Sequence, residues 1–177
     1  MKIEIACFNL ESALIADRVG ADRIELCKKY SEGGTTPNLK MAIEARSKIK
    51  APLFVMIRPR GGNFTYSEDE FTEMKISITE LKNSVDGFVF GILNEDLTIN
   101  ILQNTELVKL ANPLPCTFHR AFDKVHDTSK SLEEIIECGF KTILTSGTMP
   151  NVMEGKTELR SLVEKAGSRI TIMPGGG

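Results

Sequence analysis

Leu53-Phe-Val-Met-Ile-Arg-Pro-Arg-Gly-Gly62 decides the fold of this chain. A short apolar run closed by Pro59 and a glycine pair reads as a buried strand rather than a helix. Arg58 and Arg60 stand at its end, beside glycines that let backbone approach a ligand. The junction therefore reads as an anion-binding mouth.

Six other apolar runs recur along the 177 residues: Ile3–Phe8, Arg23–Cys27, Gly87–Leu93, Cys116–His119, Thr142–Ser146 and Ile170–Met173. Helical periodicity lies between them, over Leu10–Val19, Leu39–Ile49, Glu68–Leu81, Leu132–Ile136 and Leu159–Val163. Steps of about 20 to 34 residues match a βαβ crossover. Repeated βα units, with no helix-only or strand-only block, predict an α/β fold with a parallel sheet and helices outside it. Seven such units favour a barrel over an open doubly wound sheet. Ser67 with Glu70 predicts a capping box at a helix start, and Asp127-Thr-Ser129 opens another helix. Gly20, Gly139 and Gly167 are placed for left-handed caps at helix ends. No linker or composition shift divides the chain, so a single domain over residues 1–177 is expected.

A closed (β/α)8 barrel ordinarily takes about 250 residues and rarely fewer than ~200. Here seven strands are followed by Gly175-Gly-Gly177 in the turn after the seventh. A barrel truncated after strand 7 would leave two unpaired edges. The expectation is a fragment of a longer protein.

A formal charge of −2 argues against a nucleic-acid or anionic-membrane surface. No apolar run approaches the ~18 residues of a membrane span, and no leader pattern precedes the first strand. Four cysteines, three of them in or beside strands, do not resemble a secreted disulfide framework. A cytoplasmic protein with reduced thiols is expected.

Strand alternation sorts the side chains. With Ile3 and Ile5 toward the helices, Glu4 and Ala6 point inward. Ile24 and Leu26 likewise turn Glu25 and Cys27 inward, Leu53, Val55 and Ile57 turn Phe54, Met56 and Arg58 inward, and Phe118 turns Thr117 and His119 inward. Charged groups in such an interior are unfavourable unless paired. A structural ion network of Glu4 or Glu25 with Arg58 is one reading. The other uses Glu4, Glu25 and His119 for acid–base catalysis and Arg58 as an anion clamp, at strand ends where barrel active sites form. On the second reading Arg58→Ala removes ligand binding without unfolding the chain. His119 carries most weight because its pKa suits proton transfer, whereas His126 reads as a surface residue. Gly175 and Gly176 follow the last strand as a turn that could cradle phosphate, and Ser146 ends the neighbouring run as a hydroxyl donor. Cys7 and Cys27 end the first two strands. Two thiolates suit Cu(I), yet the same residues are ordinary small hydrophobes, and parity sends them to opposite faces.

Six motifs together resemble the CutC family: Gly20-Ala-Asp-Arg-Ile-Glu-Leu-Cys27, Ser31-Glu-Gly-Gly-Thr-Thr-Pro37, Val55-Met-Ile-Arg-Pro-Arg-Gly-Gly62, Thr117-Phe-His-Arg-Ala-Phe-Asp123, Leu144-Thr-Ser-Gly147 and Met173-Pro-Gly-Gly-Gly177. The resemblance implies a TIM barrel longer than this chain and a cytoplasmic, self-associating protein of copper homeostasis. It implies Cu(I) ligands from cysteines of the first two strands, with Cys27 on the second-strand position and Ala6 or Cys7 on the first. It also brings together Arg58, Arg60, His119 and Arg120 as residues ending the strands, a set that resembles an enzyme's site. Two functions follow. One is Cu(I) binding through Cys27, with Cys7. The other is an enzyme acting on a small anionic or phosphorylated metabolite, homo-oligomeric or not, with no organic cofactor implied.

Overall fold

The computed structural model describes residues 2–176. Seven strands, β1 (Glu4–Cys7), β2 (Arg23–Leu26), β3 (Leu53–Met56), β4 (Gly87–Phe90), β5 (Cys116–Phe118), β6 (Thr142–Thr145) and β7 (Thr171–Pro174), follow one another in one sheet in chain order. Between them run α1 (Leu10–Arg18), α2 (Leu39–Lys48), α3 (Glu68–Leu81), α4 (Ile101–Ala111), α5 (Thr128–Cys138) and α6 (Lys156–Ala166). This is the α/β, TIM-barrel class of fold that the βα repeat predicts, with seven strands and six α-helices among the described residues.

Helix starts are specified locally. Asn9, Asn38, Ser67 and Asp127 each accept a hydrogen bond from the backbone N–H three residues on, a contribution of about 1 kcal/mol each. The capping box of Ser67 with Glu70 is present in both directions. Gly139 ends α5 at φ 97°, in the left-handed well that favours glycine. Gly167 differs from expectation: its φ is 56° but its ψ is −126°, outside that well.

Contacts divide the described chain into two compact units. The first runs to Asn63 and takes in Ser67–Val89 and Leu110–Leu114. Here β1, β2, β3 and the start of β4 pair in parallel, with Ala6 beside Glu25 and Glu25 beside Phe54. Parallel neighbours in register share a face, so Glu4, Ala6, Arg23, Glu25 and Phe54 point one way and Ile5, Cys7, Ile24, Leu26 and Val55 the other. The alternation read from the sequence holds. Ala13, Ala16, Ala42 and Ala45 are buried on α1 and α2, small residues that let these helices pack closely.

The second unit holds Phe64–Tyr66, Phe90–Lys109 and the chain from Pro115 on. In it β5, β6 and β7 pair in parallel. Phe90 and Phe118 pack on Phe140 with ring centroids 5.1 and 5.3 Å apart, which sets Phe118 on the face opposite Thr117 and His119.

Candidate functional site

In the first unit, Glu4 and Arg23 form an ion pair, and the Arg23 guanidinium lies 4.2 Å from the centre of the Phe54 ring. Glu25, the next residue on that face, is 4% exposed. Burial first, then the charge of Glu4, pushes its pKa up to about 8, against the lowering effect of a hydrogen bond from Cys27 and of Arg23. Glu25 is therefore a neutral acid at pH 7. Burial likewise raises Glu4, with Arg23 opposing. Cys27 follows Glu25, and burial, then the adjacent Glu25, drives its thiol far above the ordinary range. It packs with Phe54, Met56 and Val89, and Phe8 lies against the group.

Cys7 lies on the other face by register, yet its thiol is close enough to interact with Glu25 and with Cys27. Its thiol donates to the carbonyl of Ile5 at 3.6 Å, and Ser12 of α1 also interacts with it. Burial raises its pKa first of all. The backbone N–H of Cys27 donates to the carbonyl of Cys7 at 2.8 Å. The two residues are thus neighbours through backbone while their sulfurs leave opposite faces of the sheet.

Arg58 and Arg60 are turned to the loops around them. The Arg58 guanidinium, in a residue only 5% exposed, donates to the carbonyls of Glu32 (2.8 Å), Gly34 (3.0 Å) and Gly62 (2.9 Å). Its own N–H donates to Thr36 Oγ1 at 2.8 Å. It ties the segment after β2 to the segment after β3. Arg60 engages both oxygens of Glu70, at 2.5 and 3.2 Å, and Asn63 Oδ1 at 2.9 Å. Glu70 Oε2 also accepts from the Ser67 N–H at 2.9 Å.

In the second unit His119 is 4% exposed and lies 4.8 Å from the Phe64 ring. Its Nδ1 accepts from the Ala121 N–H at 3.3 Å, an arrangement that assigns the neutral ring's proton to Nε2. Arg120 Nε donates to Asp123 Oδ2 at 2.7 Å and its Nη2 to Ser146 Oγ at 2.9 Å. Asp123 also accepts from Thr145 Oγ1 (2.5 Å), from the N–H of Ser146 (3.1 Å) and from that of Thr148 (3.2 Å). Thr148 has φ 59°, a strained conformation for a β-branched residue and one that recurs at functional loops. A Cβ on Gly176 would overlap the Arg120 guanidinium. Gly175 and Gly176, with Pro174 and the stretch from Asn151 to Glu154, line a cleft of about 760 Å³. Gly177, the last of the three glycines, lies outside the described residues.

The structure therefore brings Glu4, Glu25 and Cys27 together, and separately Arg120, Ser146 and Gly176. Sequence reading passed over Arg23, which resembles an ordinary charge at a strand start, and assigned no role to Asp123, although both lie in the motifs quoted above. The signal for Asp123 was its spacing: three residues after Arg120, close enough for a local pair.

The CutC family model matches residues 1–177. The chain is 47% identical over 176 residues to the "Copper homeostasis protein cutC homolog" of Homo sapiens, covering 99% of this chain and 64% of that protein. It is 43% identical over 176 residues to a CutC family protein of Mesorhizobium japonicum, covering 99% of this chain and 68% of that one. Against the CutC crystal structure from Streptococcus agalactiae it has a TM-score of 0.94 at 34% identity, covering 100% of this chain and 89% of the other. An aldolase structure gives 0.70 at 16% identity, over 100% of this chain and 80% of that chain, a likeness of fold alone.

Proposed function

This chain belongs to the CutC family, and we propose that it serves copper homeostasis by binding Cu(I) through Cys27. Relatives carry copper homeostasis in their names. The observation that carries the proposal is the Cys27 sulfur, held on the Glu25 face of the sheet in a buried group with Phe54, Met56 and Val89. Among the described residues no group of three or more His, Cys, Asp or Glu could hold a metal, so these side chains do not offer the tetrahedral set that a structural zinc ion prefers. A soft ion of low coordination number asks less and prefers sulfur. The donor chemistry at Cys27 fits such a cargo, with Cys7 a second sulfur only if the sheet end rearranges. The protein acts in the cytoplasm, where Cys7, Cys27, Cys116 and Cys138 stay as buried thiols. No described helix is long and apolar enough to cross a membrane.

In an anaerobic competition titration with a Cu(I) chelator, the wild-type chain is expected to bind one ion tightly and Cys27→Ser to lose at least a hundredfold in affinity. Equal binding by the two proteins would sink the proposal.

A second function, turnover of a small anionic or phosphorylated metabolite, is favoured by the Arg120 guanidinium, fixed by Asp123 and Ser146 against Gly176. Arg120, Ser146, Gly175 and Gly176 then receive the anion, and His119 of the same unit moves protons. Arg120→Ala is expected to abolish binding of inorganic phosphate and phosphorylated metabolites by calorimetry. Unchanged binding would remove this function from Arg120.

A further inference from the structure

Cys27 stands one residue beyond β2, and Met56 is the last residue of β3. The register pairs Glu25 with Phe54 and Leu26 with Val55. The next step sets Cys27 beside Met56, on the face that Glu25 and Phe54 share. Strands in a sheet lie about 4.8 Å apart, so same-face neighbours present their side chains to one another. The two sulfur side chains belong to one buried group, with exposures of 2% and 5%. Above the thiol, Gly34 supplies bare backbone at φ +91°. A Cβ there would stand 3.3 Å from Cys27 Sγ, so glycine leaves room beside the sulfur that any larger residue would fill.

Resting on the proposal that Cu(I) binds Cys27, we infer that Met56 is the second ligand, so that the ion is held between a thiolate and a thioether. Charge decides between Met56 and Cys7. A Cys27 thiolate with Cu(I) is neutral overall, and a thioether adds no charge. Two thiolates would leave a net negative charge among side chains as buried as Cys27, Phe54, Met56 and Val89, an unfavourable outcome in low dielectric. Methionine is also soft and conformationally adaptable, which suits an ion that must enter a packed region. Binding balances as one Cu(I) in and one thiol proton out to solvent. Copper here is the cargo.

The test uses the full chain, reduced and anaerobic, with Cu(I) supplied from a competing chelator. Cys27→Ser, Cys7→Ser and Met56→Leu are titrated beside wild type, and the wild-type complex is measured by X-ray absorption at the copper edge. Met56→Leu keeps volume and apolarity and is expected to melt like wild type. Its affinity is expected to fall at least tenfold, Cys7→Ser to bind like wild type, and the wild-type spectrum to fit two sulfur neighbours. A wild-type complex with a single sulfur, or Met56→Leu binding at full affinity, overturns Met56 as ligand while copper binding through Cys27 stands. Loss on Cys7→Ser with none on Met56→Leu makes Cys7 the partner and overturns the inference. If Cys27→Ser binds like wild type, or wild type does not bind, Cys27 and Met56 fall together. If Met56→Leu fails to fold, the same absorption measurement on the Cys7→Ser complex decides: two sulfur neighbours there support Met56 as the second ligand, and a single sulfur overturns it.

Discussion

Glu25→Gln is expected to flatten the pH dependence of stability of the metal-free protein between pH 4.5 and 8. The carboxyl titrates near 4.5 in an unfolded chain and near 8 when folded. Between those values the folded state keeps a proton that the unfolded state has lost, so stability contributed by this group falls as pH rises. Each unit removes about 1.4 kcal/mol, to a ceiling of roughly 5 kcal/mol reached near pH 8. Below pH 4.5 both states are protonated and the group contributes nothing to the slope. Glutamine keeps the shape and an acceptor for the Cys27 thiol but cannot ionise. Urea midpoints at pH 5 and pH 8 should therefore diverge in wild type and stay close in the variant. Parallel shifts in the two proteins would mean that Glu25 is ionised in the folded state and hydrated.

Arg58→Ala is expected to destabilise the chain by roughly 3–5 kcal/mol, since it strips donors from three loop carbonyls and leaves a void among them. Of the two sequence readings of Arg58, the anion clamp expects instead loss of ligand binding with folding intact. The physical difference lies in where the guanidinium points: Glu32, Gly34 and Gly62 accept from it through their backbone oxygens. Arg58→Lys should recover only part of the loss, because an ammonium cannot span acceptors on two loops as a planar fork does. Chemical denaturation of the three proteins measures this. An alanine variant as stable as wild type would show that water replaces the guanidinium without penalty.

The strands were legible because parallel strands buried on both faces read as continuous apolar runs, and parity then placed Glu25, Cys27 and Phe54 on one face correctly. The α4 helix was not singled out: Ile101 and Leu102 are adjacent and both exposed, which blurs the helical stripe. Loop chemistry was least legible. The partners of Arg58 are backbone carbonyls 4 to 26 residues away in the chain, and every residue type carries a carbonyl. The pair of Cys27 with Met56 was hidden for a different reason. Both residues were placed inward, but which inward residues are neighbours depends on register, and register is a property of the assembled sheet.

Glu70 is a single carboxylate engaged twice, by Ser67 as helix cap and by Arg60 as ion pair. The loop after β3 and the opening turn of α3 consequently share one latch. Releasing Arg60 loosens the cap, and fraying the helix frees the arginine. The loop after β3 and the first turn of α3 are therefore coupled through one carboxylate, so a change that releases Arg60 is expected to raise hydrogen exchange at the Ser67 N–H as well.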